Sequence, residues 1–301
     1  MMDPIYIYVC IKQVPDTGST LALASGVASE SDVSFGEVIK TDNLKWITNP
    51  YDEYALEQAI RIKEELTRKV ENLSAVAVQI IAIRLGETVP GIEVLRSALA
   101  LGADEAILVE TPKHLLLDPL LTARGLMLAM KKHGKQPDLV LTGKESSDGN
   151  YSQVPQLLAQ MLGFPAITSI SGYCNTDTSG ILSGIEVCRE VEGGDTEVFT
   201  ARLPLVLSCS RGLNTIRYPS VPGIMRAKKK PITCFTLEEL GVDFRSGKYL
   251  IENISLPPER TVGKMFLTST DTADTTNETV KEVVQEIMPQ LVALGDVVRS
   301  Q

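Results

Sequence analysis

The stretch Leu139-Val140-Leu141-Thr142-Gly143-Lys144-Glu145-Ser146-Ser147-Asp148-Gly149-Asn150-Tyr151-Ser152-Gln153-Val154 decides how this chain is read. Three aliphatics in a row suit a strand buried on both faces, and they stop at a Thr-Gly-Lys junction. A loop of small and polar residues follows. An apolar stripe then opens at Val154 and runs to Leu162, where Gly163 and Pro165 end a helix. Open α/β sheets hold ligands in this setting, beyond the carboxyl ends of the strands. Gly143 and Gly149 permit close backbone approach, and Ser146, Ser147 and Ser152 can bond phosphate oxygens beside a helix N-terminus. Asp148 and Asn150 could hold a ribose or cap the helix. The segment is not a Walker P-loop, because Asp138 stands where that motif needs its first glycine and Glu145 follows Lys144 where it needs Ser or Thr. Two readings stay open here: a nucleotide cradle, or a merely polar connection.

Outward from that stretch the chain alternates strand and helix, which argues for a mostly parallel sheet covered on both faces. Ile5 to Val9 reads as a first strand, ended by Lys12-Gln13-Val14-Pro15-Asp16. Residues 17 to 44 show little periodicity and read as an excursion or hairpin over the surface. Asn49-Pro50 opens a helix: Asn is a favoured N-cap, Pro fits the first helical position, and Asp52 and Glu53 suit the positive end of the dipole. Ala55, Ala59, Ile62 and Leu66 share one face of it, while Glu57 and Arg61 are spaced to pair on the other. Val76 to Ile83 is a buried strand. Val94, Leu95, Ala98 and Leu101 stripe the next helix, which Gly102 caps, and Ala106 to Val109 returns as strand. Pro119 to Lys132 is a helix closed by Gly134, and Ala166 to Ile170 is a further strand.

From about residue 178 the character changes. Ile181 to Glu190 and Glu197 to Ala201 form an antiparallel hairpin across Glu192-Gly193-Gly194-Asp195, and Leu203 to Cys209 is another strand. After Pro231 the chain is turn-rich and polar, with a stiff Pro257-Pro258-Glu259-Arg260 and a Ser/Thr/Asp linker from Thr268 to Thr276. A last helix over Val280 to Val292 contains Pro289, which would kink or end it. The expected organisation is a doubly wound, Rossmann-like α/β body over 1–235 with a β-hairpin insertion, and an extended C-terminal arm over 236–301 with no core of its own.

Composition narrows the chemistry. Across 301 residues, 29 Lys and Arg stand against 38 Asp and Glu, a net charge of −9, so a nucleic-acid groove, which needs a basic surface, is not expected. Cys10, Cys174, Cys188, Cys209 and Cys234 are odd in number and never spaced C-x-x-C. Neither a zinc site nor a disulfide framework is indicated, and reduced thiols of a cytoplasmic protein are expected. His114 and His133 lack metal-ligand patterns around them, which makes a histidine-based hydrolase a poor fit; His133 precedes Gly134 and belongs near a helix end. The apolar start from Ile5 to Val14 is broken by Lys12 and is too short to span a bilayer, so no membrane insertion is expected.

Loops at other strand ends surround the same crevice: Cys10 to Val14, Asn49 to Asp52, and Leu85-Gly86. Taken singly, Cys10 reads as a small core residue and Asn49 as an N-cap. A second segment is Arg217-Tyr218-Pro219-Ser220-Val221-Pro222-Gly223-Ile224-Met225-Arg226-Ala227-Lys228-Lys229-Lys230-Pro231. Its prolines preset an exposed turn about Val221, Ser220 can cap a short helix, and Ile224 and Met225 offer apolar surface. The basic run after them is either a solvated helix end or the flank of a docking tip that steers acidic partners.

Five segments in order resemble the β subunit of electron transfer flavoprotein: Val9-Cys10-Ile11-Lys12-Gln13-Val14-Pro15-Asp16, Thr48-Asn49-Pro50-Tyr51-Asp52-Glu53-Tyr54-Ala55-Leu56-Glu57, Ala98-Leu99-Ala100-Leu101-Gly102-Ala103-Asp104, the Gly143 to Val154 loop, and Arg217 to Lys230. The resemblance covers the chain to about residue 265. It implies a heterodimer with an α subunit that binds the redox FAD, this chain contributing one wall of the cleft. Electrons would arrive from flavin dehydrogenases and leave to a quinone oxidoreductase or similar acceptor. It also implies an electron carrier rather than an enzyme, with the C-terminal arm packing on the partner subunit.

Carried over by position, the nucleotide pocket falls on Cys10, Asn49, Pro50, Tyr51, Asp52, Leu85, Gly143, Lys144, Glu145, Ser146, Ser147, Asp148, Gly149, Asn150, Tyr151, Ser152, Gln153 and Val154. Partner docking falls on Val221, Pro222, Ile224 and Met225, Val221 standing where the family often has Leu. Housekeeping members hold AMP in that pocket as a structural ligand, and bifurcating members hold a second FAD. The latter resemble Asp-Gly-Asp-Thr-Ala-Gln-Val where this chain reads Asp148-Gly149-Asn150-Tyr151-Ser152-Gln153-Val154. Asn150 removes a carboxylate and Tyr151 adds bulk, which leans toward AMP. The alternative from another class is a nucleotide-hydrolysing α/β enzyme. It would need an early phosphate clamp and a metal carboxylate pair, and residues 10 to 18 offer only Lys12 and Asp16.

Overall fold

In the computed structural model, residues 4–19, 44–68, 77–111, 118–176, 182, 184–242, 284, 285, 287–289 and 292 are described. Most of the expected excursion (20–43), His114, the first part of the hairpin's leading arm, and the Pro257 to Arg260 and Thr268 to Thr276 segments lie outside them. The chain divides into a body over 1–254 and a second unit over 255–301. In the second unit the described residues between 284 and 292 are helical, on both sides of Pro289.

The body is built on β1 (Ile5–Cys10), whose Ile7, Tyr8 and Val9 are fully buried. It pairs in parallel with β4 (Val78–Gly86) on one side and β6 (Leu139–Gly143) on the other. Beyond β4 lie β5 (Glu105–Glu110) and β11 (Thr233–Thr236); beyond β6 lie β10 (Leu205–Cys209), β7 (Ala166–Asn175), β8 (Ile185–Glu190) and β9 (Thr196–Ala201). The run from β11 to β7 is parallel, and β7, β8 and β9 are antiparallel. β2 (Gln13–Pro15) and β3 (Trp46–Thr48) form a separate antiparallel pair at the base of the segment expected as an excursion.

Alternation along the strands sorts the apolar residues to two faces. Val9, Ile80, Ala82 and Leu141 join one core with α1 (Pro50–Arg68) and α2 (Thr88–Leu101). Tyr8, Cys10, Ile81, Ile83 and Val140 join a second core with α3 (Pro119–His133) and α4 (Val154–Leu162). Helices thus cover both faces, as the near-continuous hydrophobic strands require. The connections leave β1 toward β4 and β5, then return through α3 to β6 on the other side of β1. That reversal opens a crevice at the carboxyl ends of β1 and β6.

Helix ends follow the sequence signals. Gly134 and Gly163 adopt left-handed conformations after α3 and α4, with φ 81° and 71°. The Asp118 carboxylate accepts from the Leu120 and Leu121 N–H groups to cap α3, and His133 lies in its last turn as expected. Two elements and one residue differ from expectation. Thr233–Thr236, read as part of a polar turn-rich tail, is an edge strand beside β5, and Leu237, Leu240 and Val242 continue into the second core, so packing runs past residue 235. β7 reaches Asn175, which makes the hairpin a continuation of the main sheet. Glu57, placed by its spacing on the solvent side of α1, is 3% exposed. Arg217 folds over it at 2.8 Å and also reaches Glu64, at 2.6 Å. Burial works against ionisation of Glu57, but Arg217 and Arg61 hold its carboxyl below the usual range.

Candidate functional site

The crevice is floored by three side chains from neighbouring strands: Leu85 of β4, Cys10 of β1 and Thr142 of β6. Pro119, Thr122 and Leu126 of α3 form one wall, and Val154 and Pro155 of α4 close it near the start of that helix. The mouth is polar, with Lys12, Asn49, Lys144, Glu145, Ser146, Tyr151, Ser152 and Gln153. The cavity therefore has an apolar deep end and a charged outer end.

Asp52 organises the frame. It is the third residue of α1, where a carboxylate suits the helix dipole, and its oxygens accept from the Lys12 N–H at 2.7 Å and the Gly143 N–H at 2.9 Å. One side chain thus ties the ends of β1 and β6 to the start of α1. Burial nevertheless pushes the Asp52 carboxyl up to about 7, against these hydrogen bonds and the one from Asn49. Gly143 is required by close approach: a Cβ there would meet Asp52 Oδ1 at 2.3 Å and Tyr51 Cβ at 2.7 Å.

Asn49 holds the loop rather than capping the helix with its side chain. Its amide donates to the Glu145 carbonyl at 2.8 Å, and its carbonyl oxygen accepts from the Ser147 N–H at 3.2 Å. Lys12 reaches across the mouth to Asp148 at 2.8 Å and Ser146 Oγ at 3.3 Å. Ser152 donates to Glu145 at 2.8 Å. Asn150 and Ser152 take left-handed backbone conformations, φ 52° and 50°, held by these contacts. Neither Asp148 nor Asn150 caps α4: its N-cap position is Gln153, which makes no side-chain cap bond. Among the described residues no group of three or more His, Cys, Asp or Glu is placed to hold a metal ion.

Of the expected pocket residues, Cys10, Asn49, Asp52, Leu85, Gly143, Lys144, Glu145, Ser146, Tyr151, Ser152, Gln153 and Val154 line the cavity. Pro50, Tyr51, Ser147, Asp148, Gly149 and Asn150 do not. Tyr51 backs β6 from behind, Asp148 pins Lys12, and Gly149 and Asn150 turn back on the Ser146 carbonyl. Burial pushes the Cys10 thiol far up, with Asp52 adding to it, so it stays protonated. Thr142, Thr122, Pro119, Leu126 and Pro155 line the cavity without having been assigned to it from the sequence, and Lys12 enters it from the Cys10 to Val14 loop expected beside the crevice. For Thr142 a signal existed: a hydroxyl where the preceding aliphatic run would continue with Val.

The expected docking segment forms α5 (Val221–Lys229). Ser220 Oγ accepts from the Gly223 N–H, as its position suggested. Val221 is 74% exposed and Met225 56%, with Pro222 and Ile224 also exposed, and Lys228 and Lys229 stand beside them. Arg96 donates to the carbonyls of Ala227 and Lys230 at the C-terminal end of α5, and Lys230 Nζ donates to the Ala103 and Asp104 carbonyls. The apolar tip is thus presented from a fixed mount on α2.

Residues 37–240 match the family profile described as "Electron transfer flavoprotein domain". The chain is 34% identical to the electron transfer flavoprotein subunit beta of Bacillus subtilis (strain 168), over 86% of this chain and 90% of that protein. It is 33% identical to the subunit of that name from Syntrophomonas wolfei, over 85% and 88%, and 36% identical to the human one, over 77% and 85%.

Proposed function

The chain belongs to the electron transfer flavoprotein β-subunit family, and from that premise we propose that it is the nucleotide-holding half of a heterodimeric electron carrier. An α subunit is its partner and holds most of the FAD, which supplies the redox chemistry. Flavin dehydrogenases donate to the heterodimer, and a quinone oxidoreductase or similar acceptor receives. The chain conducts no substrate chemistry of its own, and its five unpaired thiols suit the reducing cytoplasm.

The observation that carries the reading is the two-ended cavity at the sheet's reversal point. Its apolar floor suits a flat heterocycle, and Lys12 and Ser146 at the mouth suit a sugar phosphate. Adenosine monophosphate fits this donor set. Lys12, already paired with Asp148, offers one cationic contact, and the uncapped first turn of α4 offers N–H groups to a phosphate. Ser152, Glu145 and Asn49 hold the loop in shape, and Asp52 fixes it to the sheet. Tyr151 lines the mouth, and its bulk there favours AMP over the longer FAD. Val221, Pro222, Ile224 and Met225 form the docking tip for electron donors.

Coexpression with an α subunit and heat release of the bound nucleotides tests this reading. One FAD and one AMP per yellow heterodimer is the expected result. Two FAD per heterodimer would replace AMP by a second flavin and make the protein a bifurcating type. A colourless monomer that hydrolyses ATP would overturn the electron-carrier reading.

A further inference from the structure

The hydroxyl of Thr142 has no hydrogen-bond partner, although the residue is only 4% exposed. Among the described residues several buried hydroxyls share that condition, those of Thr111, Ser147 and Tyr173 included, but Thr142 is the one that lines the cavity. Its place in the strand fixes its direction. Val140, two residues earlier, belongs to the core under α3 and α4, so Thr142 lies on the same face as Cys10 and Leu85, the floor of the cleft. Valine has almost the same shape and would fill the position with no polar atom to satisfy. A buried hydroxyl without a partner is costly, so one at this site calls for a partner that arrives from outside the chain.

The neighbouring groups say what kind. The Thr122 hydroxyl already donates to the Asp118 carbonyl at 2.8 Å. Cys10 is a protonated thiol and a weak donor. Leu85, Leu126, Pro119 and Val154 supply only apolar surface. The deep end thus offers one strong uncommitted O–H inside a slot of apolar walls. A planar heterocycle with an unprotonated ring nitrogen matches it, burying its faces against the walls and accepting one hydrogen bond at its edge.

Resting on the nucleotide reading above, we infer that Thr142 reads the base: its hydroxyl donates to a ring nitrogen of the bound adenine and makes the pocket selective for the heterocycle, while Lys12 and the loop hold the phosphate end. The same contact serves whether the adenine belongs to AMP or to FAD, and separate titrations with the two ligands distinguish the sources.

The test is calorimetric titration of AMP into the full chain, coexpressed with its α subunit and freed of nucleotide. Thr142→Val weakens AMP binding about three- to tenfold, the worth of one neutral hydrogen bond. Thr142→Ser retains the wild-type affinity. In nucleotide-free protein Thr142→Val melts no lower than wild type, because the hydroxyl it removes has no partner there. The ligand supplies a second measurement on unmutated protein. Among AMP analogues in which N1, N3 or N7 is replaced by CH, one binds wild type more weakly by the same factor, and that loss vanishes in Thr142→Val. Equal AMP affinity of wild type and Thr142→Val, or wild-type binding of all three analogues as tight as AMP, overturns the role of Thr142 and leaves the pocket reading intact. A wild type that binds neither AMP nor FAD overturns the pocket reading itself, and this inference with it.

Discussion

At the residue scale the pocket turns on side chains that join distant segments. Lys12 and Asp148 are 136 positions apart, and no local pattern announces that they meet. Asp52 was legible as a helix-start carboxylate, but its grip on the Lys12 and Gly143 N–H groups depends on β1 and β6 being neighbours. Its titration gives a prediction. The folded pKa is raised to about 7 from an ordinary 3.8, so the folded state binds the proton more tightly than the unfolded chain does. The contribution of this carboxyl to stability is complete below about pH 4 and is lost as pH rises through about 7. Asp52→Asn cannot accept at both oxygens and leaves one buried N–H unpaired, a cost of about 1–3 kcal/mol. Denaturant midpoints of wild type and variant should therefore lie furthest apart near pH 4 and below, and approach each other by pH 8. A gap constant across that range would show that Asp52 does not titrate there.

At the scale of elements, the signals that worked were local. Proline at the first turn of α1, glycine after α2, α3 and α4, and serine before α5 each act within a few residues, and each terminus lies where those residues put it. Edge strand β11 was missed because its evidence is not local. Thr233, Cys234 and Thr236 are exposed and read as polar, and only parallel pairing with β5, more than a hundred residues earlier, makes them strand. Helix α5 shows a local signal joined to a distant mount. Its exposed apolar tip was readable, whereas the Arg96 and Lys230 contacts that fix it to α2 and the turn after it were not. Such anchoring spares the ordering cost of binding, which suits the tip to the docking role proposed for it. Val221→Ser should slow electron acceptance from a flavin dehydrogenase about tenfold, in line with loss of a central apolar anchor. Flavin content and melting temperature should stay at wild-type values. Stopped-flow rates unchanged by the substitution would remove Val221 from the docking surface.

For the molecule as a whole, the doubly wound body was legible because strands such as Val78–Gly86 and Leu139–Gly143 are buried on both faces and carry that fact in their composition. Their order across the sheet was not, since each parallel neighbour is reached through a helix. That order has a practical consequence through the five thiols. Cys10 and Cys209 are buried, and burial pushes both thiols far up, whereas Cys174 and Cys234 are exposed and Cys188 is half-buried. A maleimide applied to the native protein should modify Cys174 and Cys234 first, and mass spectrometry should find Cys10 and Cys209 unmodified until the chain is unfolded. Early adducts on Cys10 would mean that the cleft floor opens in solution. The two reactive sites stand in β7 and β11, six strand spacings apart, or about 29 Å across the sheet. The chain therefore carries its own pair of attachment points for a donor and acceptor dye. A dye on either one, paired with a second on an associating protein, would report the distance between the two.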